Sequence, residues 1–179
     1  MKRVKTSGFT IIEMLVTVGV LTLLSGILIV YSKSGENASA LLRQAAKMVS
    51  DINRAKNLAM TTALFTDNEG NRIHPCGYGV YFDDTSTPNR YIIYADISNN
   101  CKTSDHLRSD EGITDVEIIE LSTSISIDQK NISSIFFLPP DPIIYFDPSE
   151  ENEGLVTIKT TTGSKLEIKM SGAGQVSTF

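Results

Sequence analysis

No proline occurs ahead of Pro75, so nothing upstream of that position removes a backbone donor or forces a kink. Cysteine is nearly absent as well: Cys76 and Cys101 are the only two. The two histidines, His74 and His106, both lie in polar loop sequence. No nucleophile elbow, phosphate-cradling loop or paired-ligand zinc helix is present, so neither an enzymatic role nor a cofactor is expected. Ser104, Asp105 and His106 stand side by side, but a catalytic triad assembles in space rather than along the chain. Basic residues are scarce in the larger part of the protein. From Leu64 onward eight basic side chains face eighteen acidic ones, a formal balance of −10. Such a surface repels phosphate backbones, and no nucleic-acid partner is expected. Its simplest use is a well-solvated exterior.

Charge is scarcest of all over residues 9–31, FTIIEMLVTVGVLTLLSGILIVY, where Glu13 is the only ionisable side chain. As a helix, that run reaches across a hydrocarbon layer of roughly 30 Å. Lys2, Arg3 and Lys5 precede it, which predicts a cytoplasmic N-terminus and an extracytoplasmic acidic remainder. A secretory signal would have a shorter apolar core, a small-residue cleavage site and no internal acid. Helical periodicity then continues. Leu41, Ala45, Met48, Val49, Ile52, Ala55 and Ala59 recur at three- and four-residue steps, with Arg43, Lys47, Asp51 and Arg54 largely on the other side. Gly19, Gly26 and Gly35 weaken the first part. A helix from about Phe9 to about Thr62 would measure on the order of 80 Å.

Past the loop TDNEGNRIHPCG (66–77) the sequence reads as strands. YGVYF (78–82) and RYIIYADI (90–97) are rich in aromatic and β-branched residues. DVEIIEL (115–121), SISI (124–127), SSIFFL and PIIYF follow, and LVTIKTT (155–161) with KLEIKM (165–170) makes a hairpin pattern. The predicted fold class is α+β: a long N-terminal helix, transmembrane and then amphipathic, packed on an antiparallel sheet or sandwich head. The predicted division is a leader at 1–8, a transmembrane half-helix at 9–31, an amphipathic stem at 32–64 and a β-rich head at 65–179.

Three sites stand out. Cys76 and Cys101 are a disulfide candidate in an oxidising compartment, closing a loop with 24 residues between them and contributing roughly 3 kcal/mol. Free thiols, or a metal site with His74 and His106, are the competing readings; the ligand spacing fits no common zinc pattern. The acidic loops DPSEENEG (147–154) and DNEGN (67–71) offer oxygen atoms but lack calcium-loop spacing. Glu13 is the informative residue, because an acid at membrane depth is costly. It lies at the headgroup interface, or it is paired. Were the chain cut after Gly8, Phe9 would present a free amine about one turn from Glu13. That amine could neutralise the acid within one helix or on a neighbour, making Glu13 a register device for assembly.

GFTIIEMLV, with its short basic leader, Gly8, Phe9 and Glu13, resembles the class III signal and helix start of type IV pilins and type II secretion pseudopilins. RAKNLAMTTAL, RYIIYAD and FFLPPDP are similar to the GspH/FimT-like minor pseudopilin group. The resemblance implies a prepilin peptidase that cuts between Gly8 and Phe9 and methylates the Phe9 amine. It implies a single-pass inner-membrane protein, its head outside the cytoplasm, drawn into a periplasmic or surface filament with other pilin-like subunits. There Glu13 would meet a neighbour's amine. The expected function is that of a non-catalytic minor subunit supporting secretion or pilus assembly. The alternative is a membrane-tethered extracytoplasmic binding domain that never polymerises. DNA uptake is disfavoured, because the tail after Lys169, MSGAGQVSTF, carries no base.

Overall fold

A computed structural model describes residues 10–67, 69–108, 114–140, 143–148 and 151–179, the side chains of 28–34 excepted. Helix α1 occupies Ile11–Met60. Thr10 caps its start: the backbone N–H of Glu13 donates to the Thr10 carbonyl at 3.1 Å and lies 3.3 Å from the Thr10 hydroxyl. At the other end the Ala63 N–H reaches back to the Leu58 carbonyl at 3.0 Å and the Thr62 N–H to the Ala59 carbonyl at 2.9 Å. That paired geometry is a Schellman stop, with Thr62 in the left-handed region at φ 46° where glycine is usual.

The chain divides into two compact units, Met1–Asn37 and Ala38–Phe179. The first contains the start of α1. Ile11, Met14, Leu15, Val18, Leu21, Leu24 and Ile27 are all exposed there, on every side of the helix.

In the second unit α1 buries one stripe, made of Leu41, Ala45, Met48, Ile52, Ala55 and Ala59. This follows from the 3.6-residue period, and the three alanines keep the stripe shallow enough for close packing. Two antiparallel sheets share its core. One contains β3 (Gly77–Asp83), β4 (Arg90–Asp96), β5 (Asp115–Glu120), β7 (Ser134–Leu138) and β8 (Ile143–Asp147), in the spatial order β5-β4-β3-β7-β8. The other contains β6 (Ile125–Lys130), β9 (Glu153–Thr160), β10 (Lys165–Ser171) and β11 (Val176–Thr178), in the order β11-β10-β9-β6. A two-residue ribbon, β1 (Phe65–Thr66) with β2 (Arg72–Ile73), forms a separate sheet whose Phe65 is buried in the same core.

Alternation along the strands decides what faces the core. Tyr78, Val80 and Phe82 of β3, Tyr91, Ile93 and Ala95 of β4, and Ile135 and Phe137 of β7 join Val156, Ile158, Ile168 and Met170 of the smaller sheet in one cluster with the α1 stripe. Unusually for an antiparallel sheet, the opposite face of the larger one is also closed at its centre, where Ile92, Tyr94 and Phe136 are fully buried. Gly77 and Gly79 make room for those rings. A Cβ on Gly77 would lie 2.3 Å from the Phe137 carbonyl oxygen, and one on Gly79 would lie 2.5 Å from the Tyr94 ring.

The structure corrects two expectations. Among the described residues no helix is long and apolar enough to cross a membrane. The expected fold class, with its transmembrane half-helix, and the expected single-pass inner-membrane location do not stand. The physical reason is local. Four polar residues fall among the described apolar side chains from Ile11 to Ile27. Glu13, Thr17, Thr22 and Ser25 interrupt them, and the hydroxyls of the last three turn back onto helix carbonyls at 2.8–2.9 Å. Among the described residues the β-rich part forms three sheets of two, four and five strands.

Candidate functional site

Gly8 and Phe9 lie outside the described residues. Glu13 is exposed in the first turn of α1. Thr10-Ile11-Ile12-Glu13 has the spacing of a capping box, threonine at the cap and a carboxylate three residues on. The acid therefore stands where the helix dipole favours negative charge, an effect of about 0.3–1 kcal/mol. Nothing about this local role prevents the carboxylate from meeting a cation of another molecule. The T-x-x-E signal was present in the sequence and was overshadowed by the apolar run that follows it.

Around Glu13 the exposed side chains form an apolar surface without charge up to Ile27. Ile11 is 86% exposed, Leu15 70% and Leu23 72%. Water around so much hydrocarbon is unfavourable by roughly 25 cal/mol per Å² relative to burial, so this surface is built to be covered.

Cys76 and Cys101 are joined as a disulfide with their Cα atoms 5.1 Å apart. Cys76 is buried at the start of β3, whereas Cys101 is exposed. The bridge ties the segment after β4 to the sheet. Beyond it, Asp96 gathers three groups. The Ser104 hydroxyl donates to Asp96 Oδ2 at 2.5 Å, His106 Nδ1 lies 3.2 Å from the same oxygen, and the Ser98 N–H donates to Oδ1 at 3.0 Å. Burial pushes the Asp96 carboxyl up, but these hydrogen bonds outweigh it and hold the group below the usual carboxylate range. The Ser104 hydroxyl and the His106 ring thus share one carboxylate oxygen, and the His106 backbone N–H donates to Ser104 Oγ at 3.3 Å.

The His106 ring stacks on Phe136 at 4.8 Å and faces Tyr145 at 4.7 Å. The disulfide consumes both thiols. Among the described residues no group of three or more His, Cys, Asp or Glu side chains is placed to hold a metal. In the 66–77 loop Asp67 closes its own turn, accepting N–H bonds from Glu69 at 3.0 Å and Asn71 at 2.7 Å. In the 147–154 loop, residues 149 and 150 lie outside the described set. The association of Asp96, His106 and Tyr145 had no signal in the sequence, because strand register and a disulfide create it. No family model, curated protein or solved structure matches the chain.

Proposed function

We propose that this protein is a non-catalytic subunit of a type IV pilin-like filament, a minor pseudopilin or pilin that supports secretion or pilus assembly. In this reading a prepilin peptidase releases the chain between Gly8 and Phe9, and the start of α1 packs among the stems of other pilin-like subunits. One observation carries it: the apolar side chains from Ile11 to Ile27 are exposed on every side of the helix. A helix apolar all round belongs in the interior of an assembly. Glu13, alone among these side chains, would be desolvated in that bundle unless it met a cation. A neighbour's terminal amine supplies one and sets the stagger between subunits.

The test is photocrosslinking from Leu15 and Leu21 in cells that assemble the filament, combined with mass spectrometry of the mature N-terminus. Links to the stems of other pilin-like subunits, and a chain beginning at Phe9, are the expected result. A chain that retains Met1 in working filaments, or stem positions that link to no filament subunit, would refute the reading.

A further inference from the structure

A cleft on the outer face of the five-stranded sheet has chemistry that the apolar stem does not use. It lies between segment 105–107 and strands β7 and β8 and encloses about 210 Å³. Its aromatic wall is rigid. His106 is sandwiched by Phe136 and Tyr145, its Nδ1 meets Asp96, and its carbonyl accepts the Tyr94 hydroxyl at 2.8 Å. His106 is held in the left-handed region at φ 59°, a conformation that persists only where its surroundings impose it.

Two carboxylates line the same space, Asp105 from the covering segment and Asp147 from β8. Asp96 is engaged with His106 and Ser104, and the nearby guanidinium of Arg108 grips Asp115 through two bonds of 2.7 and 2.6 Å. The local field is correspondingly negative. Burial raises the Tyr94 hydroxyl above its ordinary range, and Asp96, Asp147 and Asp105 push it further up. Beside the cleft, β8 is the end strand of its sheet, with no second partner strand among the described residues. It presents Ile143, 50% exposed, and Tyr145, 39% exposed, where an end strand is ordinarily blunted by charge.

We propose that this cleft receives the arginine side chain of an extended segment of a partner protein, whose backbone adds to the edge of β8 away from β7. Size, charge and wall chemistry converge on that occupant. At about 210 Å³ the space is smaller than the roughly 300–1,000 Å³ of sites for drug-sized molecules, and it suits one long side chain. Aromatic faces and carboxylates together favour a cation, and a planar guanidinium both stacks on rings and bonds carboxylates in pairs. Strand addition supplies main-chain hydrogen bonds, while the cleft selects the side chain. The proposal concerns Ala38–Phe179 alone and does not depend on how the stem assembles.

The test uses the full-length protein, labelled with nitrogen-15 and followed by NMR. The probes are acetylated, amidated Ser-Val-Arg-Val-Ser and the same peptide with citrulline, the uncharged isostere, in place of arginine. The arginine peptide is expected to move the amide signals of β8, His106 and Leu107, and the citrulline peptide to bind roughly tenfold more weakly. Asp105→Asn, at an exposed side chain, and Asp147→Asn should each weaken the arginine peptide severalfold without affecting the citrulline peptide. Equal affinity for the two peptides, or no shift along β8, would overturn the proposal. Shifts at the same amides that grow with protein concentration alone would overturn it too, since a second copy would then be the occupant.

Discussion

The Tyr91 hydroxyl donates to Asp51 Oδ2 at 2.6 Å, joining α1 to strand β4 inside the core. Helical spacing alone places Asp51 among the polar residues of the stem, with Arg43 and Lys47. The sheet recruits it instead. Burial of Tyr91 and the neighbouring Asp51 carboxylate both raise the tyrosine well above its ordinary range. The folded state therefore favours protonated Tyr91. Its contribution is complete below the unfolded value of about 10 and declines as pH rises above that. Tyr91→Phe is expected to cost about 1–2 kcal/mol at neutral pH, because Asp51 loses a hydrogen bond and stays half-buried. It should also flatten the loss of stability above about pH 10. Thermal melts of both proteins across pH 7–11 measure the two effects together.

Acid should act through Asp96 and Asp83. Asp83 closes the turn after β3, accepting from the Thr85 hydroxyl at 2.6 Å, the Thr85 N–H at 3.0 Å and Arg90 at 2.8 Å. Burial opposes its charge, but the hydrogen bonds prevail and hold the carboxyl far below its usual range. Asp96 is held low in the same manner. Stability from both is present above the unfolded value of about 4 and is lost as pH falls below it. Asp83→Asn should therefore reduce stability at pH 7 and reduce its slope below about pH 4. Denaturant titrations at pH 7 and pH 3 check the prediction.

Glu13 has two candidate roles that one pair of substitutions separates. Glutamine at the third helical position still completes a capping box, whereas alanine does not. Neither has a charge. Both Glu13→Gln and Glu13→Ala should lower incorporation into filaments severalfold if pairing with a neighbour's amine matters. Retained incorporation by Glu13→Gln, scored by quantitative blotting of sheared filaments, would assign the acid to helix capping alone.

Gly77→Ala should be among the most damaging small changes in the protein. The added methyl would sit 2.3 Å from the Phe137 carbonyl, a backbone atom, and 2.5 Å from the Phe136 ring. The expected cost is about 3 kcal/mol, at the upper end for overpacking, and urea denaturation reads it directly.

Thr62→Gly should have the opposite sign. A β-branched residue at φ 46° pays a steric penalty that glycine avoids, and no side-chain contact beyond the adjacent Thr61 carbonyl is lost. A gain of about 0.5–1 kcal/mol is expected in the same assay.

Local chemistry is legible in one dimension. The buried stripe Leu41, Ala45, Met48, Ile52, Ala55 and Ala59 follows from its spacing, and the strands at Gly77–Asp83 and Arg90–Asp96 follow from their aromatic and β-branched content. The cysteine pair was nameable for the same reason, there being no other thiols to choose from. Properties that depend on which residues meet across the fold were not legible. Register sets Tyr94 against Gly79 and Phe136 against that same glycine, and the disulfide draws His106 down between Phe136 and Tyr145. Asp51 changed from a solvated acid to a core partner because β4 arrived beside it. Hydrophobic period and turn chemistry act over a few residues and need only neighbours in the chain. Clefts, perturbed acids and sheet edges arise from contacts tens of residues apart, which only the closed fold can define.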